Sequence, residues 1–181
     1  MIRIVENFFT DEELVKIQTY ANRDAYFNTS FFDYVYENKD TDEKRNRDTS
    51  YGLRHTFGWD ENFLGKVITK NALEKFKVKI LKTVHNQGAI DKRKLDLFQP
   101  HQDETIGNKW NLYVQLQGKE DARNGICFYN DNRNMDIHIG FKQNRAVLFR
   151  SNLYHTPNVS KDKETWRMTM TIFILKADFI N

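Results

Sequence analysis

The stretch WRMTMTIFIL (166–175) alternates with period two. Met168, Met170, Ile172 and Ile174 fall on one side of an extended chain, and Arg167, Thr169 and Thr171 fall on the other. Such a strand offers one face to an apolar core and carries a permanent cation beside hydroxyls on its reverse. WNLYVQLQ (110–117) repeats the division, with Trp110, Leu112, Val114 and Leu116 against Asn111, Tyr113 and Gln115. KLDLF (94–98), GICFY (125–129), MDIHIGF (135–141) and RAVLFRS (145–151) are further strand candidates, separated by the turn material GKEDARN, NDNRN and KQN.

The first half reads differently. IRIVENF is a short strand, and Thr10 with Glu13 forms a capping box before a helix over 11–23 that carries Leu14, Ile17 and Ala21 at helical spacing. Phe9 and Leu14 are placed to staple its entry. Aromatic-rich extended segments follow, YFNTSFFDYVYEN (26–38) and SYGLRHTFGW (50–59), split by the mixed-charge run KDTDEKRNRD (39–48). That run reads as a solvated loop, with a mobile lid as its functional alternative. Leu64, Ile68, Ala72, Phe76, Ile80 and Val84 recur at i+4 and predict a second helix over about 60–85. Helices first and strands after them indicate one α+β domain, mainly β, spanning 1–181: helices and aromatic cover in 1–93 back a β-sandwich or barrel in 94–175.

Composition narrows the function classes. With 39% hydrophobic and 29% charged residues the chain suits a soluble globular protein rather than a disordered one. A net charge of +3 gives nucleic acid little to bind, and the Lys/Arg-rich stretch 66–94 reads as a solvated helix face. The single cysteine, Cys127, excludes an intrachain disulfide framework and fits a reducing compartment; between Ile126 and Phe128 it reads as a core residue. No run of eighteen apolar residues occurs and MIRIVENFFTDEEL lacks the apolar stretch of a signal peptide, so the expectation is a full-length cytoplasmic protein with no membrane span.

FQPHQDETIGNKW (98–110) places His101 and Asp103 two apart, so both side chains project from one side of an extended chain. A third candidate ligand, His155, lies in FRSNLYHTPNV. Two His and one carboxylate form the facial triad that holds non-haem Fe(II) with open positions. If NVSKDKE is a hairpin loop, His155 falls opposite Arg167 or Thr169, on the metal's side of the sheet. The Arg167 guanidinium suits a bidentate grip on a carboxylate, with Tyr113 a candidate for a second hydrogen bond. Taken singly, each His reads equally as a surface or satisfied core residue. His138, with Asp136, is an alternative ligand; His55 and His85 read as loop or helix-surface residues, with His55 beside Arg54 a candidate substrate contact.

In order and spacing, His101-x-Asp103, His155 and Arg167-x-Thr169 resemble the Fe(II)/2-oxoglutarate-dependent oxygenases. NGICFYND is similar to that family's Gly-Gly-x-Leu-x-Phe strand, and NRAVLFRSNLYHTPNV to its Gly…Phe…His…Pro-Val stretch. The resemblance covers about 94–175 and implies a double-stranded β-helix, or jelly roll. It also implies Fe(II) on His101, Asp103 and His155, and 2-oxoglutarate held at its distal carboxylate by Arg167 with Thr169 and Tyr113. O2 is the implied cosubstrate, and the implied outcome is hydroxylation of a protein side chain, peptide or amino acid. A catalytically silent jelly-roll binding module and an oxygenase acting on nucleic acid are the alternatives. Asn124 and Asn144 stand where the family carries Gly; both are expected at turns, where Asn tolerates positive φ. Many prolyl hydroxylases of the family carry Lys at the place of Arg167, and Asp103 is the carboxylate that its halogenases lack. The aromatic segments 26–36 and 51–59 are the expected cover of the site.

Overall fold

A computed structural model describes residues 1–27, 53–93, 100–103, 107–158 and 167–180. The described chain runs β1 (Ile2–Val5), α1 (Asp11–Arg23), β2 (Leu53–Gly58), α2 (Phe63–Phe76), β3 (Val78–Thr83), a 3-10 turn (Val84–Asn86) and β4 (Gln87–Arg93). It continues with β5 (Trp110–Gln117), β6 (Asp121–Tyr129), β7 (Met135–Phe141), β8 (Ala146–Arg150), β9 (Tyr154–Asn158) and β10 (Arg167–Phe179). Among the described residues the strands form two antiparallel sheets. The larger has the order β1-β8-β5-β10-β4-β2, with β3 on the C-terminal half of β10; the smaller has the order β7-β6-β9.

Strand β10 shows why the sheets lie face to face. Its Met168, Met170, Ile172 and Ile174 join Leu112, Val114 and Leu116 of β5 in an apolar layer under the helices. Leu14, Ile17 and Ala21 of α1 and Leu64, Ile68, Ala72 and Phe76 of α2 close that layer from outside. Each fully buried Leu, Ile, Phe or Met contributes roughly 1.5–3 kcal/mol. The reverse face of the large sheet meets the small one through Tyr113, Val147 and Phe149 against Ile126, Phe128 and Ile139. The space between the two sheets is where the polar residues of β5 and β10 point.

Local chemistry fixes the helices. The Thr10 side chain accepts from the Glu13 amide at 3.2 Å, and the Glu13 carboxylate accepts from the Thr10 amide at 3.0 Å, completing the capping box. Asn62 caps α2 by accepting from the Leu64 amide at 3.0 Å.

The second helix ends at Phe76 rather than near residue 85, a correction to the i+4 reading. Lys77 adopts the left-handed conformation at φ 58° and stops the helix. Ile80 and Val84 are buried as expected, but from β3 and the turn after it. An interval of four is an even number, so it keeps residues on one face of a strand as well as of a helix. The predicted hairpin between His155 and Arg167 is also corrected: β9 pairs with β6, not with β10. KLDLF (94–98), the run 39–48 and the aromatic cover over 28–36 and 51–52 lie outside the described residues.

Candidate metal centre

The HQD segment is laced onto the end of β8 and the start of β9. His101 and His155 form an isolated antiparallel bridge, the His101 amide donating to the His155 carbonyl at 3.0 Å and the His155 amide to the His101 carbonyl at 2.9 Å. Two residues on, the Asp103 amide donates to the Ser151 carbonyl at 3.0 Å. Ser151 is itself anchored, its Oγ donating to the Asn108 carbonyl at 2.7 Å. The main chain thus presents His101, Asp103 and His155 toward one point, although His155 belongs to the small sheet.

One atom from each of the three side chains lies within 4.8 Å of the other two. His155 Nε2 is 3.1 Å from Asp103 Oδ2, and His101 Nε2 is 3.6 Å from Asp103 Oδ1. Ligands at adjacent positions around an octahedral metal, with bonds of about 2.1 Å, stand roughly 3 Å apart. His155 Nδ1 donates to the Leu153 carbonyl at 3.0 Å, since a carbonyl can only accept. In the neutral ring Nε2 is therefore a lone pair facing a carboxylate, and a cation, proton or metal, is needed between them. Burial pushes the Asp103 carboxyl up. Hydrogen bonding and charge from His155, the charge of His101 and the Asn111 amide outweigh that and hold it below its ordinary value. The donor set fits a divalent iron: two imidazoles and one ionised carboxylate.

Asn111 supports the carboxylate from β5. Its Nδ2 donates to Asp103 Oδ2 at 2.5 Å, and its Oδ1 accepts from Asn108 Nδ2 at 2.5 Å. Both asparagines are fully buried. Asn108, at the base of β5, thereby fixes which end of the Asn111 amide meets the Asp103 carboxylate.

The cavity holding the three candidate ligands is also lined by Tyr113, Thr169, Thr171, Asn111, Phe173, Arg54 and Arg93. Strand register explains the grouping. Thr171 lies opposite Tyr113 and Thr169 opposite Gln115 across β10 and β5, while Thr169 lies opposite Asp91 across β10 and β4. Of the six residues expected at the site, five come together here: His101, Asp103, His155, Tyr113 and Thr169. Arg167 sits two residues from Thr169 on the same face, 2% exposed, and borders the adjoining cleft with Gln117 and Gly118. Its Nη1 donates to Asn124 Oδ1 at 2.8 Å and to the Gly125 carbonyl at 2.9 Å.

The two departures from glycine separate. Asn144 has φ 65°, the left-handed turn expected of it, and its side chain bonds both the amide and the carbonyl of Phe9. Asn124 is not at a positive-φ turn but inside β6, where its side chain receives Arg167; the positive φ belongs to Gly125 at 145°. His138 stands on β7 with Nδ1 3.6 Å from Cys127 Sγ, apart from the three candidate ligands, and Cys127 is buried as expected. His55 is held by the Tyr20 hydroxyl at 2.8 Å and the Tyr26 carbonyl at 2.9 Å. His85, in the turn after β3, has φ 51°.

Sequence reasoning missed Arg54 and Arg93 as cavity residues, and the buried Asp91 that joins them. Asp91 accepts from Arg54 Nε at 2.6 Å and Nη2 at 2.9 Å, and from Arg93 Nη2 at 3.0 Å. Burial would raise this carboxyl, but the two guanidiniums hold it below the ordinary range. The IDKR segment has the alternation of a strand, with Asp91 and Arg93 on one side, and that was the signal available.

No protein-family model and no curated protein matches the sequence. Solved structures match in fold. An oxidoreductase of the 2OG-Fe(II) oxygenase family from Burkholderia pseudomallei aligns with a TM-score of 0.60 at 11% identity, over 95% of this chain and 82% of that one. The non-haem α-ketoglutarate-dependent epimerase SnoN from nogalamycin biosynthesis aligns at 0.59 and 10% identity, over 98% of this chain and 79% of that one. A Pseudomonas putida prolyl-4-hydroxylase aligns at 0.58 and 8% identity, over 96% and 92%. The chain has the double-stranded β-helix fold of these 2-oxoglutarate oxygenases. Among the described residues no helix is long and apolar enough to cross a membrane.

Proposed function

We propose that this chain is an Fe(II)- and 2-oxoglutarate-dependent dioxygenase that hydroxylates a small molecule, peptide or protein side chain. The observation that carries the reading is the convergence of His101, Asp103 and His155 within 4.8 Å, on the cavity wall of this fold. His101, Asp103 and His155 hold the iron. Bound iron and 2-oxoglutarate supply the oxidising chemistry, with O2 consumed and 2-oxoglutarate converted to succinate and CO2. Arg167 receives the distal carboxylate of 2-oxoglutarate from its place on β10, and the hydroxyls of Thr169 and Tyr113 orient it. The Leu153 carbonyl keeps His155 in the tautomer that presents Nε2, and Asn111 keeps the Asp103 carboxylate aimed. Phe149 and Ile126 give the cavity an apolar side that excludes water around the reacting centre.

SnoN, whose fold this chain shares, has been captured with Fe3+ and α-ketoglutarate, which supports the same pair of cofactors here. The test is an anaerobic titration of Fe(II) and 2-oxoglutarate, followed by the visible metal-to-ligand charge-transfer band, on wild type, Asp103→Ala and Arg167→Ala. A band in the wild type, its loss in Asp103→Ala and a raised 2-oxoglutarate requirement in Arg167→Ala are expected. A wild type without the band would sink the reading and leave a silent binding module.

A further inference from the structure

Two arginines share the cavity wall with the metal ligands. Arg54 on β2 and Arg93 on β4 both line the space that holds His101, Asp103 and His155. Register puts them there: Arg54 lies directly opposite Asp91 across β2 and β4, and Arg93 is two residues beyond Asp91, so all three project from the inner face. Asp91 in turn lies opposite Thr169 of β10. The result is a polar row running Arg54, Asp91, Thr169 across three strands.

Asp91 orients both guanidiniums. It takes two N–H donors from Arg54 and one from Arg93, all at 3.0 Å or less, and is 1% exposed. A buried ion cluster is a poor source of net stability, because removing charge from water costs about as much as the pairing returns. Its placement on a cavity wall, rather than in the apolar layer under the helices, gives it a recognition use. Planar guanidinium forks fit the paired oxygens of carboxylates and phosphates. Arg167 lies directly opposite Arg93 across β10 and β4, but its Nη1 turns to the small sheet, bonding Asn124 and Gly125.

We infer that Arg54 and Arg93, oriented by Asp91, form an oxyanion-binding site that takes a carboxylate or phosphate group of the primary substrate, distinct from the cosubstrate position at Arg167. Assigning the anion to the primary substrate rests on the oxygenase reading; the anion site itself does not. The substrate then enters with its charged group on β2 and β4 and the carbon to be oxidised toward the metal ligands. This makes substrate choice a matter of charge and of the distance between the oxyanion and the reacting carbon.

The experiment uses inorganic phosphate and acetate as separate probes, titrated calorimetrically into the metal-free protein. Arg93→Met removes one cation while leaving the two-point Arg54–Asp91 pair to hold the fold, and Arg93→Lys keeps the charge without the fork. Wild type is expected to bind one or both anions at a single site, Arg93→Met to weaken that binding at least tenfold, and Arg93→Lys to fall between. Tighter phosphate identifies a phosphorylated substrate, and tighter acetate a carboxylate. In the iron and 2-oxoglutarate titration, Arg93→Met is expected to keep the wild-type midpoint that Arg167→Ala shifts. The inference is overturned if wild type binds neither anion, if Arg93→Met binds both as wild type does, or if Arg93→Met shifts the cosubstrate midpoint as Arg167→Ala does. A wild type that shows no charge-transfer band, yet loses phosphate on Arg93→Met, would uphold the anion site and remove the oxygenase reading.

Discussion

Asn111 is not among the proposed iron ligands, yet its replacement by alanine is expected to cost one to two orders of magnitude in Fe(II) affinity. The side chain is fully buried and donates to Asp103 Oδ2 at 2.5 Å, while Asn108 holds its other end at 2.5 Å. A hydrogen bond to an ionised acceptor is worth about 1.5–3 kcal/mol. At about 1.4 kcal/mol per tenfold, that range corresponds to roughly 10- to 100-fold, the usual size for the partner of a metal ligand. The measurement is a competition titration of Fe(II) against a chromophoric chelator under argon, on wild type, Asn111→Ala and Asn108→Ala. Asn108→Ala should show a smaller loss in the same direction, because Asn111 keeps its bond to Asp103 but can swing. Thermal melts of the metal-free variants separate a local effect from a folding defect. Iron affinity within twofold of wild type in Asn111→Ala would refute the chain Asn108–Asn111–Asp103 as the device that aims the carboxylate.

Three further outcomes follow from the packing. Asp91→Asn leaves Arg54 and Arg93 buried without their shared carboxylate and should lower stability by about 3 kcal/mol in urea unfolding at neutral pH. The Asp91 carboxyl is held below its ordinary value, so its contribution is complete above the unfolded pKa of about 3.9 and disappears as pH falls through the folded one. Wild type should therefore lose more stability than Asp91→Asn on acidification below about pH 4. Gly125→Ala places a Cβ 2.0 Å from the Ile139 carbonyl at φ 145°, and a loss of roughly 2–5 kcal/mol is expected, read as a lowered melting temperature. Thr10→Ala removes one half of the capping box and should cost about 1 kcal/mol in the same melt, without changing iron affinity.

The strands of the second half are legible because each alternates. Trp110, Leu112, Val114 and Leu116 lie in the apolar layer, and Asn111 and Tyr113 line the cavity, as the period-two pattern of β5 predicts. The convergence of His101, Asp103 and His155 is legible because their pattern is narrow: two His and an Asp in this order on strand-like segments point to one cluster. What failed had physical reasons. The stripe Leu64 to Val84 fits a helix and a strand equally at intervals of four, and the stop at Lys77 is a left-handed residue other than Gly, which leaves no mark in sequence. Reading the basic stretch 66–94 as a solvated helix face then hid Asp91 and Arg93, whose shared face exists only in a strand. The pairing of His155 with β6 rather than β10 depends on contacts between segments far apart in the chain, which local pattern does not encode.

The most direct measurement is a crystal structure of the anaerobic complex with Fe(II) and 2-oxoglutarate. The account predicts one iron about 2.1 Å from Nε2 of His101 and His155 and from a carboxylate oxygen of Asp103, with the distal carboxylate of 2-oxoglutarate on Arg167 and Thr169. Iron bound elsewhere, or a distal carboxylate seated on Arg54 and Arg93, would contradict it.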